Sequence, residues 1–352
     1  MRVALTADLH LTSRERHPHR FETLENILSL VTVEGIETLI IAGDLFDASR
    51  RDYSDFEQLC AKEEYRHLQL LIIPGNHDPG INNRRIAAEN VRVIGEPSVH
   101  ELEDRPFLFL PYEQGKTMGE VMAHMASDLR ADRWVLIAHG DWAQGLWQPN
   151  PTEPGVYMPL TRRDIELYRP ARVFLGHIHK PMDAPPVHYV GSPCGLDITE
   201  QGRRRCLLYD TDSNDVQPLA HETPVLYFDE TFVILPVADE AAYLREQIAS
   251  RIDEWALTPE EKAKAQVRVK IVGYSADRAA LRPTLREAFD GFRFYEDREP
   301  NIDDVLYSDD LERNYIAEQV RAEVEQVAVP GGEDDPGSDE VLLEALRIIY
   351  GS

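Results

Sequence analysis

Five short apolar runs, each stopped by a polar residue able to bind a metal, constrain this chain more than any other feature. "RVALTAD" runs into Asp8-Leu9-His10, "ETLIIAG" into Asp44 and Asp47, and "LQLLIIPG" into Asn76-His77-Asp78. "RWVLIAHG" carries His139, and "ARVFLGH" ends on His177-Ile178-His179. Apolar runs punctuated by Gly, Pro, Asn or Asp read as buried strands that end in turns. Between them, "FETLENILSLV", "DFEQLCAKEEYRHL" and "MGEVMAHMASDLR" space their apolar residues at helical intervals. Strands alternating with helices imply a largely parallel sheet covered by helices.

From about 187 to 228 the helices give way to β-like segments, "VHYVGSP", "RRCLLYDTD" and "PVLYFDE", which read as a second sheet packed on the first. The pattern changes again near Thr231. "TFVILPV", "EAAYLREQIASRIDEWAL", "QVRVKIVGY", "RAALRPTLREAFD" and "FRFYEDRE" spell β-α-β-α-β. After Pro300 come two helical patches, "LERNYIAEQVRAEVEQV" and "DEVLLEALRIIY". The stretch "VPGGEDDPGSD" between them is a turn or flexible linker. The expected division is therefore 1–230, 231–300 and 301–352. The apolar stripes of the last two helices look surplus to the core of the 231–300 unit. They either pack back on the chain or dock on a partner.

The carboxyl ends of parallel strands line one edge of a sheet, where ligands bind. Asp8, His10, Asp44, Asn76, His139, His177 and His179 should therefore share one rim. In Asp8-x-His10 and His177-x-His179 the outer residues lie on one face of an extended chain. Imidazole, carboxylate and amide donors in this number suit two divalent ions such as Mn, Fe or Zn. Cys60, Cys194 and Cys206 form no CxxC pair and read as inert buried thiols.

Composition sets limits on what such a rim could serve. The 43% of hydrophobic residues is ample for a core in a chain of 352 residues. The start "MRVALTADLH" lacks signal-peptide order, and no apolar run nears the ~18 residues of a membrane span, so a soluble cytoplasmic protein is expected. The 37 basic and 63 acidic residues give a net charge of −26, whereas a protein gripping polyphosphate usually shows basic excess. Part of the imbalance is local, since residues 299–352 hold 15 Asp and Glu against three Arg. Basic spots remain at "SRERHPHR", "SRRD", "NNRR" and "TRR". Arg14, Arg16, Arg20, Arg50, Arg51, Arg84 and Arg85 are thus candidate phosphate contacts, the alternative being ordinary salt-bridged surface. His17, His19, His67, His100, His124, His188 and His221 read as structural or surface groups.

D-x-H, G-D-x-x-D, G-N-H-D, a lone His and G-H-x-H, in that order, resemble the signature of the calcineurin-like metallophosphoesterases. "GDLFD", "YVGSP" and the β-α-β cap with its helical tail bring the chain nearest to the SbcD-type nuclease subunits that process DNA breaks with an ATPase. The resemblance implies an α/β/β/α sandwich of two sheets, a small α+β cap and C-terminal helices. It implies two divalent ions, Mn2+ foremost. Asp8, His10, Asp44 and His179 would hold one, and Asp44, Asn76, His139 and His177 the other, with Asp44 bridging. Such ions stabilise in-line attack on a phosphodiester. His77, next to a ligand but not itself one, would protonate or stabilise the leaving oxygen. Asp47 would orient its ring and raise its pKa. Asp78 would cap the turn.

By the same resemblance the chain would act as a 3′-to-5′ exonuclease on duplex DNA and an endonuclease on single strands or hairpins. Residues 231–300 would bind DNA, and the C-terminal helices would dock on an SbcC-type ATPase. The helices near 53–67 and 83–90 would pair two copies in a homodimer. A stand-alone phosphoesterase acting on small nucleotides or phosphoproteins is the alternative, against which the cap and tail argue. The intact ligand set argues against a non-catalytic scaffold.

Overall fold

A computed structural model describes residues 1–48, 52–126, 129–143, 155–326 and 337–351. Arg50, Arg51 and most of the "VPGGEDDPGSD" linker lie outside the described residues. The chain forms two compact units. The first comprises Met1–Leu196 and Arg203–Pro224, and the second Asp197–Gly202 and the chain from Val225 onward.

Two six-stranded sheets build the first unit. One is ordered Asp215–Leu219, Cys206–Asp210, Arg2–Thr6, Thr38–Ala42, Gln69–Ile73, Val91–Val93, and is parallel from Arg2–Thr6 outward. The other is ordered Met182–Ala184, Val187–Tyr189, Arg172–Gly176, Val135–His139, Arg105–Leu110, Ser98–Leu102, with its four middle strands parallel. Alternate side chains of the same apolar run serve different cores. Val3, Leu5, Ile40, Leu71 and Ile73 meet Phe107, Val135, Ile137 and Phe174 between the sheets. Ala4, Leu39, Ile41, Leu70 and Ile72 face the other way, onto Phe21, Leu24, Ile27 and Val31 of the helix Pro18–Val33. Leu136, Ala138, Val173 and Leu175 face Met118, Val121 and Met122 of the helix Met118–Met125. A run buried on both faces has no polar face to alternate, hence its unbroken apolar look. The result is an α/β/β/α sandwich.

The allocation of strands differs from the expectation. Val135–His139 and Arg172–Gly176 lie at the centre of the second sheet rather than beside the first three strands. Cys206–Asp210, expected in the second sheet, pairs antiparallel with Arg2–Thr6 in the first. Apolar runs buried on both faces look alike in either sheet, so periodicity cannot assign them. Residues 83–90, expected as a helix, begin with a turn. There the Asn82 side chain accepts from the Arg84 amide at 3.0 Å, and Asn83 brackets the Val93 backbone with two hydrogen bonds of 2.7 Å. Asn side chains that satisfy the backbone locally compete with helix formation.

The second unit is built on a parallel sheet of Leu226–Ile234, Ala265–Ser275, Arg293–Phe294 and Val305–Tyr307. Phe228, Phe232, Ile234, Val267, Val269 and Ile271 point at the helices Glu240–Glu254 and Arg278–Ala288. Val233, Leu235, Val272 and Tyr274 point the opposite way, onto Ala317, Leu342 and Leu346 of the helices Leu311–Gln326 and Ser338–Tyr350. The two tail helices are therefore not surplus. They cover the second face of this sheet, for which the local sequence pattern offers no cover.

Candidate metal centre

The ligand motifs of the first sheet leave it as two loops running side by side. The Asp8 amide donates to the Gly43 carbonyl at 3.1 Å, the His10 amide to Asp44 at 3.0 Å and the Leu11 amide to Leu45 at 2.8 Å. Asp8, His10, Asp44 and His177 all hold positive φ, at 53°, 44°, 49° and 96°. Non-glycine residues in such conformations cost about 1–3 kcal/mol each and persist where surrounding structure or function demands them. Gly43 shows why its motif needs glycine. It has φ of 92°, and a Cβ there would sit 2.1 Å from Nδ1 of His139.

The structure brings the seven candidate ligands into one cluster where the strand ends of the two sheets meet. Nε2 of His10 lies 3.1 Å from Nε2 of His179 and 3.7 Å from Oδ2 of Asp44. The same Asp44 oxygen lies 3.3 Å from Nε2 of His139. Oδ1 of Asn76 is 2.8 Å from Nε2 of His139 and 3.2 Å from Nδ1 of His177. Asp8 accepts from the His177 amide at 3.0 Å. Asp44 is thus central, with His10 and His179 to one side and His139, Asn76 and His177 to the other. Ligand atoms of Asp8, His10 and His179 lie within 4.8 Å of one another, as do those of Asp8, Asp44 and His139, and of His10, Asp44 and His77.

This donor set fits divalent cations. Asp8 and Asp44 are almost wholly buried. Burial pushes Asp8 up to about 6 against the pull of His139 and His179. Burial also drives His10 down to about 3, against the pull of Asp44. Burial opposes ionisation of Asp44 too, but His139, His10 and His77 outweigh it and hold its carboxyl below the usual carboxylate range. Burial likewise works against His139, yet Asp44 and Asp8 raise it to about 10. Carboxylates and imidazoles packed this closely without solvent are the environment in which cations are bound.

His77 stands at the edge of the cluster. Its amide donates to Oδ1 of Asp44 at 2.8 Å, and its ring meets that of His10 edge-on with centroids 4.6 Å apart. Asp78 accepts from the amides of Gly75 at 2.7 Å and Phe46 at 3.0 Å, which ties the turn to the Asp44 loop. Asp47 donates its amide to the Leu11 carbonyl at 3.1 Å. Its carboxylate acts on His17, which burial, Arg20 and Arg16 lower and Asp47 pulls the other way.

Two arginines have a different role from the one the sequence suggested or left unassigned. Arg20, a candidate phosphate contact, is buried and donates from Nη1 to the His10 carbonyl at 2.6 Å. Arg204, missed altogether, is buried and donates to the His179 carbonyl at 2.8 Å. Each guanidinium supports the backbone of a ligand motif. Arg20 shares a helical face with Leu24, Ile27 and Val31, a spacing that marks it as inward-pointing. Of the remaining basic spots, Arg14 pairs with Glu25 at 3.5 Å and Arg162 with Glu166 at 3.0 Å. Arg16, Arg84 and Arg85 are exposed. Cys60, Cys194 and Cys206 are free and buried, and burial pushes the Cys206 thiol up to about 12.

A family profile described as calcineurin-like phosphoesterase matches residues 1–181, which carry every candidate ligand. The chain belongs to the calcineurin-like phosphoesterase family. Phosphoesterases of this family are hydrolases that use divalent metals. It is 26% identical over 253 residues to the SbcD subunit of the nuclease SbcCD from Bacillus subtilis (strain 168), covering 57% of this chain and 64% of that relative. The chain thus matches less than two thirds of the length of this curated relative. Among solved structures, it is similar to GAP50, the anchor in the inner membrane complex of Plasmodium, at 10% identity and a TM-score of 0.39, covering 63% of this chain and 89% of that one. It is also similar to purple acid phosphatase PPD1 from yellow lupin (Lupinus luteus) seeds, at 16% identity and a TM-score of 0.35, covering 51% and 38%. Among the described residues no helix is long and apolar enough to cross a membrane.

Proposed function

We propose that this phosphoesterase is a cytoplasmic DNA nuclease subunit, with two Mn2+ ions held by Asp8, His10, Asp44 and His179 and by Asp44, Asn76, His139 and His177. The observation that carries this reading is the central place of Asp44, between the two halves of the donor cluster and hydrogen-bonded to the amide of His77. When bound, the ions supply Lewis-acid stabilisation of a phosphodiester and an activated nucleophile. The remaining chemistry falls to the chain. His77, fixed through its backbone to Asp44, presents its imidazole where it donates a proton to the leaving oxygen. Asp47 orients that imidazole. Arg20 and Arg204 hold the His10 and His179 carbonyls, and so the two D-x-H and H-x-H motifs, in place.

The 26% identity to the SbcD subunit of the nuclease SbcCD supports DNA as substrate and an SbcC-type ATPase as partner of the C-terminal helices. Leu311, Tyr315 and Ile316, exposed on the helix Leu311–Gln326 whose Ala317 packs inward, supply an apolar surface for that docking. A second copy would pair through the helix Ser54–Cys60 and the segment 83–90.

One observation favours a stand-alone phosphoesterase acting on a smaller ester. Several basic side chains that would track DNA are committed elsewhere. Arg20 is buried, Arg14 is paired, and in the proposed DNA-binding cap Arg268 pairs with Asp229, Lys270 with Asp304 and Arg286 with Glu299. Incubating the chain with Mn2+ and end-labelled single- and double-stranded DNA, alongside bis-p-nitrophenyl phosphate, separates the two. The nuclease reading expects cleavage of DNA. Hydrolysis of the small diester with every DNA left intact would refute it.

A further inference from the structure

His139 and His177 both bring a ring nitrogen to Oδ1 of Asn76, but they use opposite nitrogens. His139 turns Nε2 inward, 2.8 Å from Asn76, with Nδ1 3.0 Å from the Ala42 carbonyl. His177 turns Nδ1 inward, 3.2 Å from Asn76, and its Nε2 lies 3.6 Å from Oδ1 of Asp141. Asp141 is itself buried, at 3% exposure. No sequence motif singles it out, although it stands two residues after His139.

Asp141 is held on three sides. Its Oδ2 accepts from the Tyr157 amide at 2.7 Å, its own amide donates to the Tyr157 carbonyl at 2.7 Å, and its carbonyl accepts from Leu160 at 2.8 Å. The glycine before it allows this approach, because a Cβ on Gly140 would sit 2.4 Å from the Tyr157 carbonyl oxygen. The Tyr157 ring closes over His177, centroids 4.6 Å apart. Oδ2 is thus occupied by the backbone and Oδ1 faces the imidazole.

We propose that Asp141 is a positioning residue for His177, holding the ring in the tautomer that carries its proton on Nε2 and offers Nδ1 to the metal. This rests on the dimetal reading above. A lone pair on Nε2 would face a buried carboxylate and be repelled by it, whereas an N–H there is attracted. The proton therefore stays on the Asp141 side, and the Nδ1 lone pair is directed into the cluster. Histidine ligands commonly gain orientation and basicity from an acceptor on their second nitrogen, and removing that acceptor typically weakens metal binding about 10–100-fold. For His139 the corresponding acceptor is a main-chain carbonyl, beyond the reach of substitution. For His177 the group facing the second nitrogen, at 3.6 Å, is a side chain.

Calorimetric titration of the metal-free full chain with Mn2+, comparing wild type with Asp141→Asn, tests the assignment. The amide keeps an acceptor for Tyr157 but removes the charge facing His177. The expected result is two sites in the wild type and about a 10–100-fold loss of affinity at one of them in the variant, the other unchanged. Two unaltered affinities in the variant would overturn the role of Asp141 alone, and a wild type that takes up no Mn2+ would overturn the dimetal reading itself. Nitrogen-15 NMR of the Zn2+-loaded wild type gives a readout independent of whether the variant folds. His177 is expected to be metal-bound at Nδ1 and protonated at Nε2, and the reverse pattern would overturn the proposal.

Discussion

At the scale of single residues, the turn after Ile73 divides its tasks among neighbours. Asn76 faces His139 and His177, His77 faces His10, and Asp78 faces away, onto the amides of Gly75 and Phe46. Substituting His77 by Ala should leave both ions bound and lower cleavage by ~10²–10⁴-fold, the usual contribution of a general acid. Metal analysis beside single-turnover rates checks this, and loss of an ion would make His77 a ligand instead. Asp78→Ala should act on stability, since it orphans two buried amides at about 1–3 kcal/mol each. Denaturant unfolding of the metal-free chain measures it, and an unchanged midpoint would mean that other groups satisfy those amides. That the candidate ligands gather in space was legible because five apolar runs in succession each stop at a donor residue, where any one alone would be an ordinary turn. Arg20 was misread because "SRERHPHR" looks like surface. Only the helical face it shares with Leu24, Ile27 and Val31 reveals that it turns inward.

At the scale of elements, strands were easier to read than their partners. Each run such as "TLIIA" is apolar on both faces, so its existence is plain while its sheet is set by contacts far along the chain. The tail was harder still. The even-numbered Val272 and Tyr274 of the strand Ala265–Ser275 need a cover that residues some forty to seventy positions later help to provide, and no local periodicity records that need. Leu346, fully buried against this face, gives the sharpest test. Leu346→Ala should cost about 2–5 kcal/mol. Unfolding of the second unit, followed by near-ultraviolet dichroism, should show the loss. A change below about 0.5 kcal/mol, the range of ordinary surface substitutions, would mean that the tail helix packs elsewhere in solution.

At the scale of the whole molecule, a chain of net charge −26 holds a cluster of carboxylates and imidazoles that would suit two dications. With dications bound, the local field would outweigh net charge, because such ions are often the largest charges in a site and themselves attract phosphate. The account turns on Asp44, the one residue proposed to serve both ions. Metal stoichiometry after dialysis against Mn2+, measured by mass spectrometry on wild type and Asp44→Ala, tests it most directly. Two ions per chain should fall to none in the variant, with its fold intact by circular dichroism. A folded Asp44→Ala chain that still holds two ions would contradict the account.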